Sequence, residues 1–285
     1  MNPDAVMARR FEDVPVRVEE RDAILYALGI GLGDEPESPA QLRYTYEKDL
    51  AVFPTMPVVL GSPGLWFRDP ALGIDAPRIV HAEQSVRNHR PIHLGEPLVA
   101  RNAITDLVDK GEGKGALLTV QRELLDEGGA PVATVRSTYF LRGDGGFGGP
   151  RGESARPEPL PDRAPDITLN LSTLPQAALI YRLSGDRNPL HADPDFARRA
   201  GQPRPILHGL CTFAVAARGL LRARGGEDAA RMGFLSARMS APVFPGETVR
   251  LRAWDLGGSR LGFEASVPSR EVVVLSQGRA EVEPG

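Results

Sequence analysis

An internal repeat constrains the fold of this 285-residue chain more than any other feature of its sequence. Residues of the first half recur about 151 positions later. The matched residues are Ser85, Arg87, Pro91, Gly95, Glu96 and Arg101 in the first half and Ser236, Arg238, Pro242, Gly246, Glu247 and Arg252 in the second. Because the same residues recur in the same order, we infer a gene duplication that produced two halves of similar fold.

Each half has the same predicted order of elements, an apolar helix, an irregular stretch and four strand-like runs with alternating apolar and polar residues. The helix pattern Ala23-x-x-Tyr26-x-Leu28 recurs as Ala178-x-x-Tyr181-x-Leu183. The strand-like runs cover residues 80–89, 98–108, 116–125 and 132–141, and then 234–243, 248–255, 261–267 and 271–282. A helix followed by an antiparallel meander, made twice, predicts an α+β fold with paired sheets.

A stretch rich in glycine and proline separates the two halves. The letters GDGGFGGPRGE from Gly143 onward, followed by ARPEPLPDRAPD, are unsuited to the interior of a helix or strand. We therefore predict an N-terminal half over residues 1–145, a linker over 146–165 and a C-terminal half over 166–285.

Composition excludes several classes of protein. A net charge of -3 and a pI near 6.0 give no overall attraction to nucleic acid. No run approaches the ~20 apolar residues of a membrane helix, so we predict a cytoplasmic protein without membrane contact. The single cysteine, Cys211, excludes an internal disulfide, and with five scattered histidines it predicts neither a metal site nor a cofactor.

The second half carries polar groups that its twin lacks. It reads Gly-Asp186-Arg-Asn188-Pro-Leu-His191, whereas the matching stretch of the first half has neither Asn nor His in register, and His208 is replaced there by Leu60. We infer one active site per chain, in the C-terminal half, and a substrate-binding role for the N-terminal half.

The spacing of Asp186 and His191 suits proton transfer. Asp186 follows a predicted helix end, where the helix dipole disfavours a carboxylate, so Asn188 is a candidate to hold it. A nearby Asp and His provide a general acid and a general base for proton transfer.

Gly209 begins a long apolar helix in the sequence PILHGLCTFAVAARGLL. A glycine there presents its backbone N–H without a side chain in the way, at the positive end of the helix dipole. This predicts an oxyanion hole, a site that stabilises negative charge on a carbonyl oxygen. We interpret His208 as shaping the loop before the helix, and Cys211 as a small core residue.

These strings together resemble a known family. YRLSGDRNPLHADPDFARRAG followed by PILHGLCTF is similar to the signature of the MaoC-like, R-specific enoyl-CoA hydratases, the hydratase 2 family. The segments YALGIG, PTMPVVLG, DKGEGKG and GGFGG resemble the substrate-binding half of the hydratases in peroxisomal multifunctional enzymes. The resemblance implies a double hotdog, with two antiparallel sheets each wrapped around a central helix, and a homodimer that hydrates trans-2-enoyl-CoA to (R)-3-hydroxyacyl-CoA.

The resemblance also implies roles for individual residues. Asp186 and His191 would activate water, Asn188 would orient them, Gly209 would bind the thioester oxygen, and Glu47 would matter to activity. The residues implied to line the CoA path and the pocket are His81, Ala82, Lys110, Arg187 and Met239. Ala82 departs from the family, which usually has glycine after the histidine.

Three alternatives remain open at the level of sequence. Hotdog folds also include acyl-CoA thioesterases, and fold alone does not fix function. A dehydratase that acts on acyl carrier protein would differ only in the length of its substrate tunnel, and a noncatalytic acyl-CoA-binding protein would be expected to lack the motif. The length and type of the acyl chain stay open.

Overall fold

The computed structural model describes residues 1–150 and 158–285. The helices are α1 (Pro3–Ala8), α2 (Glu20–Gly29), α3 (Pro39–Thr45), α4 (Ala177–Tyr181), α5 (Pro194–Arg199) and α6 (Gly209–Arg224). The strands are β1 (Val14–Val16), β2 (Ile79–Asn88), β3 (Leu98–Asp109), β4 (Ala116–Leu125), β5 (Pro131–Leu141), β6 (Ile167–Ser172), β7 (Met232–Met239), β8 (Thr248–Asp255), β9 (Arg260–Val267) and β10 (Val272–Val282). No helix of the described part is long and apolar enough to cross a bilayer.

All ten strands form one antiparallel sheet in the order β1-β3-β4-β5-β2-β7-β10-β9-β8-β6. Strands β1 to β5 come from the first half and β6 to β10 from the second, and the two sets meet where β2 pairs with β7. The α+β class predicted from the repeat is confirmed. The expectation that the sheets of the two halves form one continuous layer is also confirmed.

The joint between the halves follows the repeat itself. On β2 and β7, Ser85 pairs with Ser236, and these are the two residues that the repeat equates. On either side, Glu83 pairs with Arg238 and Arg87 with Phe234. Each half therefore contributes the same strand to the joint, as expected for two copies related by an approximate twofold axis through this serine pair.

The repeat is also visible in a turn of each half. The Glu96 carboxylate accepts the His93 N–H at 2.6 Å, and the Glu247 carboxylate accepts the Phe244 N–H at 2.8 Å. Gly95 has a φ of 70° and its counterpart Gly246 has a φ of 89°, a region that favours glycine. The matched Gly-Glu pairs thus have the same local role in both halves.

Only the second half contains a long central helix among the described residues. Helix α6 has 16 residues and is buried continuously from Cys211 to Leu221, in contact with β6, β7, β8 and β10. After Gly61, the equivalent stretch forms only short 3-10 turns. The expectation of two central helices was wrong, because Pro63, Pro70 and Pro77 remove N–H donors and interrupt a helix.

The two halves also interlock through helices α2 and α4. The rings of Tyr26 and Tyr181 lie 5.6 Å apart, and a Cβ at Gly29 would lie 3.2 Å from the Tyr181 Cα. A larger residue at position 29 would therefore separate the helices. Helix α4 continues as a 3-10 turn to Ser184, and Gly185, with a φ of 124°, then redirects the chain into the motif segment that begins at Asp186.

The predicted linker over residues 146–165 lies partly outside the described residues, which resume at residue 158. At its start, the N–H groups of Gly146 and Gly148 each donate to the Asp109 carboxylate at 2.7 Å. Asp109 also accepts the Gly111 N–H at 2.8 Å. One buried carboxylate therefore fixes the first residues of the linker to the β3–β4 hairpin.

Candidate active site

Local hydrogen bonds shape the segment from Asp186 to His191. The Asp186 Oδ1 accepts the Asn188 N–H at 3.0 Å, and the Asn188 Oδ1 accepts the Leu190 N–H at 3.1 Å. Asn188 therefore caps the 3-10 turn Pro189–His191 with its side chain and holds Asp186 with its backbone. The sequence suggested that the Asn188 side chain holds Asp186. In the structure the backbone N–H of Asn188 does so.

His191 is a buried base in a defined tautomer. His191 is 8% exposed, and its Nδ1 is 2.9 Å from the Ile206 carbonyl oxygen. Because a carbonyl only accepts, Nδ1 carries the proton and Nε2 keeps a free lone pair. Burial lowers the pKa of His191, against the opposing effects of the Ile206 bond and the Asp186 charge. The imidazole is therefore neutral near pH 7 and able to accept a proton.

His208 completes the cluster, and the sequence had assigned it only to the loop. Its ring stacks on His191 with 3.6 Å between centroids, and its Nε2–H donates to the Asp186 carbonyl oxygen at 3.1 Å. Side-chain atoms of Asp186, His191 and His208 all lie within 4.8 Å of one another. The signal that could have revealed His208 was its replacement by Leu60 in the inactive half.

These three residues offer two imidazoles and a carboxylate, a set that binds transition metals in other proteins. The donor geometry fits a metal poorly. Because the two rings lie face to face at an interplanar angle of 24°, their in-plane lone pairs run side by side and do not converge. The potential ligand atoms are separated by up to 4.8 Å. Neighbouring ligand atoms lie closer together than this when each is bound to one ion at ~2.0 to 2.2 Å. We therefore derive no step through a metal.

Gly209 is the first residue of α6, directly beside this cluster. Within residues 1–150 and 158–285, neither the Gly209 nor the Leu210 N–H finds an acceptor, as expected for the first turn of a helix. A Cβ at Gly209 would lie 3.7 Å from the Cγ and Sδ of Met239. The structure thus brings Met239 to the predicted oxyanion hole.

His81 lies near the same cluster from the N-terminal half. Its ring is 5.0 Å from that of Tyr139, and its Nε2 lies 3.2 Å from the Glu83 carbonyl oxygen. Burial lowers the pKa of His81 to about 4, and the nearby charge of Asp186 opposes this shift. Ala82 is the extra residue of a β-bulge between β2 and β5. Such bulges are frequent beside active sites, because they redirect neighbouring side chains.

The remaining candidates are less closely associated with the cluster. Arg187 is exposed beside Asp186, and Lys110 lies at the turn after β3, where its N–H donates to the Gly115 carbonyl oxygen. Glu47 is exposed just after α3. Among the described residues, no hydrogen bond or ion pair connects Glu47 to Asp186 or His191.

A surface cavity of about 490 Å³ lies apart from this cluster. Its lining residues are Asn170, Arg204, Gly246, Glu247, Thr248, Arg250, Pro268 and Ser269. None of them belongs to the predicted site. We therefore locate the chemistry from the arrangement of Asp186, His191 and Gly209, and do not assign it to this cavity.

Comparison with known families matches both halves of the chain. Residues 17–143 match the MFE-2 hydratase 2 N-terminal domain, and residues 155–276 match the MaoC like domain. The 3-hydroxyacyl-thioester dehydratase Y of Mycobacterium tuberculosis is 40% identical over 276 residues, which cover 93% of each chain. This chain belongs to the MaoC-like hydratase 2 family. Membership confirms the family that the motif strings indicated.

Other relatives agree with the assignment to this family. Enoyl-CoA hydratase ChsH3 of Mycobacterium tuberculosis is 35% identical and is matched over 96% of both chains. The crystal structure of a MaoC-like dehydratase from Phytophthora capsici superposes over the full length of both chains, with a TM-score of 0.86 and 35% identity. A Mycobacterium tuberculosis protein described as a double hotdog, 15% identical, covers 97% of both chains with a TM-score of 0.59. The double hotdog prediction is confirmed.

Proposed function

We propose that this chain hydrates trans-2-enoyl-CoA reversibly to (R)-3-hydroxyacyl-CoA, without a metal or nucleotide cofactor. One observation carries the proposal. The carboxylate of Asp186 and a neutral imidazole, that of His191, lie within 4.8 Å of each other, next to the free N-terminus of a buried 16-residue helix. These groups can transfer a proton and stabilise an oxyanion, and the reaction requires both.

The reaction balances with water as the only added reactant. The water oxygen forms a bond to the β-carbon, the π electrons move to the thioester oxygen, and the pair of Asp186 and His191 takes one proton from the water. The enolate then collapses, and the same pair returns the proton to the α-carbon. The free Nε2 lone pair of His191 suits it to accept that proton, and the Asp186 carboxylate stabilises the resulting imidazolium.

Gly209 acts on the other end of the conjugated system. Its N–H and the helix dipole place positive charge where negative charge develops on the thioester oxygen. Polarising that carbonyl makes the β-carbon electrophilic before the water attacks. The rate gain arises because this charge is fixed in place before the reaction begins.

The N-terminal half contributes binding groups in this proposal. His81, Ala82 and Lys110 would lie along the CoA path, and Arg187 and Met239 would border the pocket. The position of His81 beside the charge of Asp186, and the contact of Met239 with Gly209, support this placement. The contribution of Glu47 to activity and the division into halves at residues 146–165 stay predictions, as does the cytoplasmic location.

A second candidate is dehydration of a 3-hydroxyacyl thioester on CoA or on a carrier protein. One relative is named as a 3-hydroxyacyl-thioester dehydratase, and dehydration is the reverse of the same reaction with the same groups. For a thioesterase, in contrast, the water would have to attack the carbonyl carbon, and no contact in the described site favours that.

Hydration is tested by incubating the purified protein with a series of trans-2-enoyl-CoA esters and following the loss of the conjugated absorbance. We expect the R alcohol by chiral analysis, with unchanged rates after prolonged treatment with a chelator. An S product, or release of free CoA without hydration, would reject the proposed function. Activity lost with the chelator and restored by a metal would reject the cofactor-free mechanism.

We also propose that the chain forms a homodimer, as the family resemblance implied. Because β2 and β7 already pair with each other within one chain, the dimer would form through another surface. Light scattering at micromolar concentration should give twice the mass of 30.7 kDa. A mass equal to one chain under these conditions would remove the dimer.

A further inference from the structure

His208 occupies a junction between three segments of the chain. It is 2% exposed and is the residue before α6, where its carbonyl oxygen accepts the N–H groups of Cys211 at 3.0 Å and Thr212 at 3.1 Å. The hydrogen bonds of its carbonyl oxygen therefore fix the His208 backbone at the start of α6, and the ring projects from there. From that position it reaches both residues that the proposed function assigns to the water.

The two contacts of His208 differ in kind. Its Nε2–H holds the carbonyl oxygen of Asp186 at 3.1 Å, and the face of its ring stacks on His191 at 3.6 Å. One contact is a directional hydrogen bond that fixes the backbone carrying the carboxylate. The other covers the imidazole of His191 and keeps water away from its face.

The protonation state of His208 follows from its neighbours. Since Nε2 donates to a carbonyl, the neutral ring has no proton on Nδ1, and this buried atom has no partner among the described residues. Burial, followed by repulsion from His191, lowers the pKa of His208 to about 4. The charge of Arg182 lowers it further, whereas Asp186 raises it, and the nearby Tyr181 ring lies 5.1 Å away.

A neutral His208 suits positioning better than proton transfer. A group with a pKa near 4 is a weak base at pH 7, and its one donor is already used on the Asp186 carbonyl. Its only free nitrogen is buried. The ring can therefore order its two neighbours without competing for the proton of the water.

We propose that His208 is a positioning residue, which holds Asp186 through Nε2–H and His191 through its ring face so that both address one water. This rests on the proposed hydration, in which Asp186 and His191 share the proton transfer. His208 itself exchanges no proton with the substrate. The pair in the sequence motif is thus completed by a third residue 17 positions further along the chain than His191.

Two substitutions separate the contacts. His208→Phe keeps a flat ring against His191 and removes the donor, whereas His208→Gln keeps an amide donor near the position of Nε2 and removes the ring. We expect His208→Phe to lower kcat about 10-fold with KM within about twofold, the effect of losing one hydrogen bond. His208→Gln should retain more of kcat, but water reaching His191 should raise the pKa of that imidazole toward its ordinary ~6.5.

The pKa of His191 is best measured by NMR titration of the histidine side chains, which is independent of catalysis. The chain has five histidines, so single substitutions can assign each signal. We expect a His191 pKa below 6.5 in the unchanged protein and in His208→Phe, and a higher value in His208→Gln. The acidic limb of kcat/KM should move in the same direction. His93→Gln, at an exposed position outside the cluster, is the matched control and should change neither quantity.

The results distinguish the proposals. If both variants retain normal kcat and leave the His191 titration unchanged, His208 does not position either partner. A loss as large as that of Asp186→Asn in both variants, with unchanged melting temperature, would instead make His208 a proton-transfer group and overturn the proposal. If the unchanged protein performs no hydration, the proposed function fails, but the NMR titration still tests the contact with His191. Should His208→Phe not fold, His208→Gln still tests the stacking contact with His191 through the NMR titration, and an unchanged His191 titration there would overturn the proposal.

Discussion

Asp186→Asn is expected to lower turnover by about 10² to 10⁴, the usual contribution of a general acid or base, with a nearly unchanged melting temperature. The amide oxygen of asparagine can still accept the Asn188 N–H, so the local turn is retained while the negative charge is lost. Because Asp186 is exposed, its substitution leaves no cavity in the core. Turnover of an enoyl-CoA and thermal denaturation measure the two quantities.

His191→Asn should have an effect of similar size for a complementary reason. The asparagine amide can replace Nδ1–H as a donor to the Ile206 carbonyl, but it offers no equivalent of the Nε2 lone pair. Groups that act as a unit are not additive, so the double variant should be little worse than either single one. Near-normal rates in Asp186→Asn, or a loss of folding together with activity, would make the carboxylate structural and the mechanism wrong.

Gly209→Pro is expected to reduce turnover by about 10² to 10³, the typical cost of removing one oxyanion-hole donor. Proline lacks the N–H but is well tolerated at the first position of a helix. The preceding residue, His208, has a φ of -59° and a ψ of 134°, the extended conformation that a residue before proline requires. The helix should therefore form normally while the proposed donor is lost.

Gly209→Ala is the matched control, because alanine adds a Cβ but retains the N–H. The new Cβ would meet Met239 at an ordinary contact distance of 3.7 Å, and alanine favours a helix more than glycine does. We expect Gly209→Ala to melt no lower than the unchanged protein and to be much more active than Gly209→Pro. Equal activity of the two variants would show that the Gly209 N–H binds no developing charge.

Local patterns in the sequence predicted much of the fold. The repeat identified the two halves, but only the structure showed that the matched residues Ser85 and Ser236 pair where the sheets join. The alternating strand patterns succeeded because a strand that buries one face must place apolar residues at every second position. The second central helix that the resemblance implied is absent from the described residues of the first half, because Pro70 and Pro77 interrupt a helix there.

The sequence by itself identified the motif residues Asp186, Asn188 and His191, which lie within six positions, and one local turn sets the hydrogen bonds of Asp186 and Asn188. Only the tertiary structure decided that His191 is buried and neutral, and that His208 stacks on it. Those properties depend on Ile206 and on the start of α6, which reach His191 through folding of the chain. Burial and stacking arise from the summed packing of distant segments, and no local spacing encodes them.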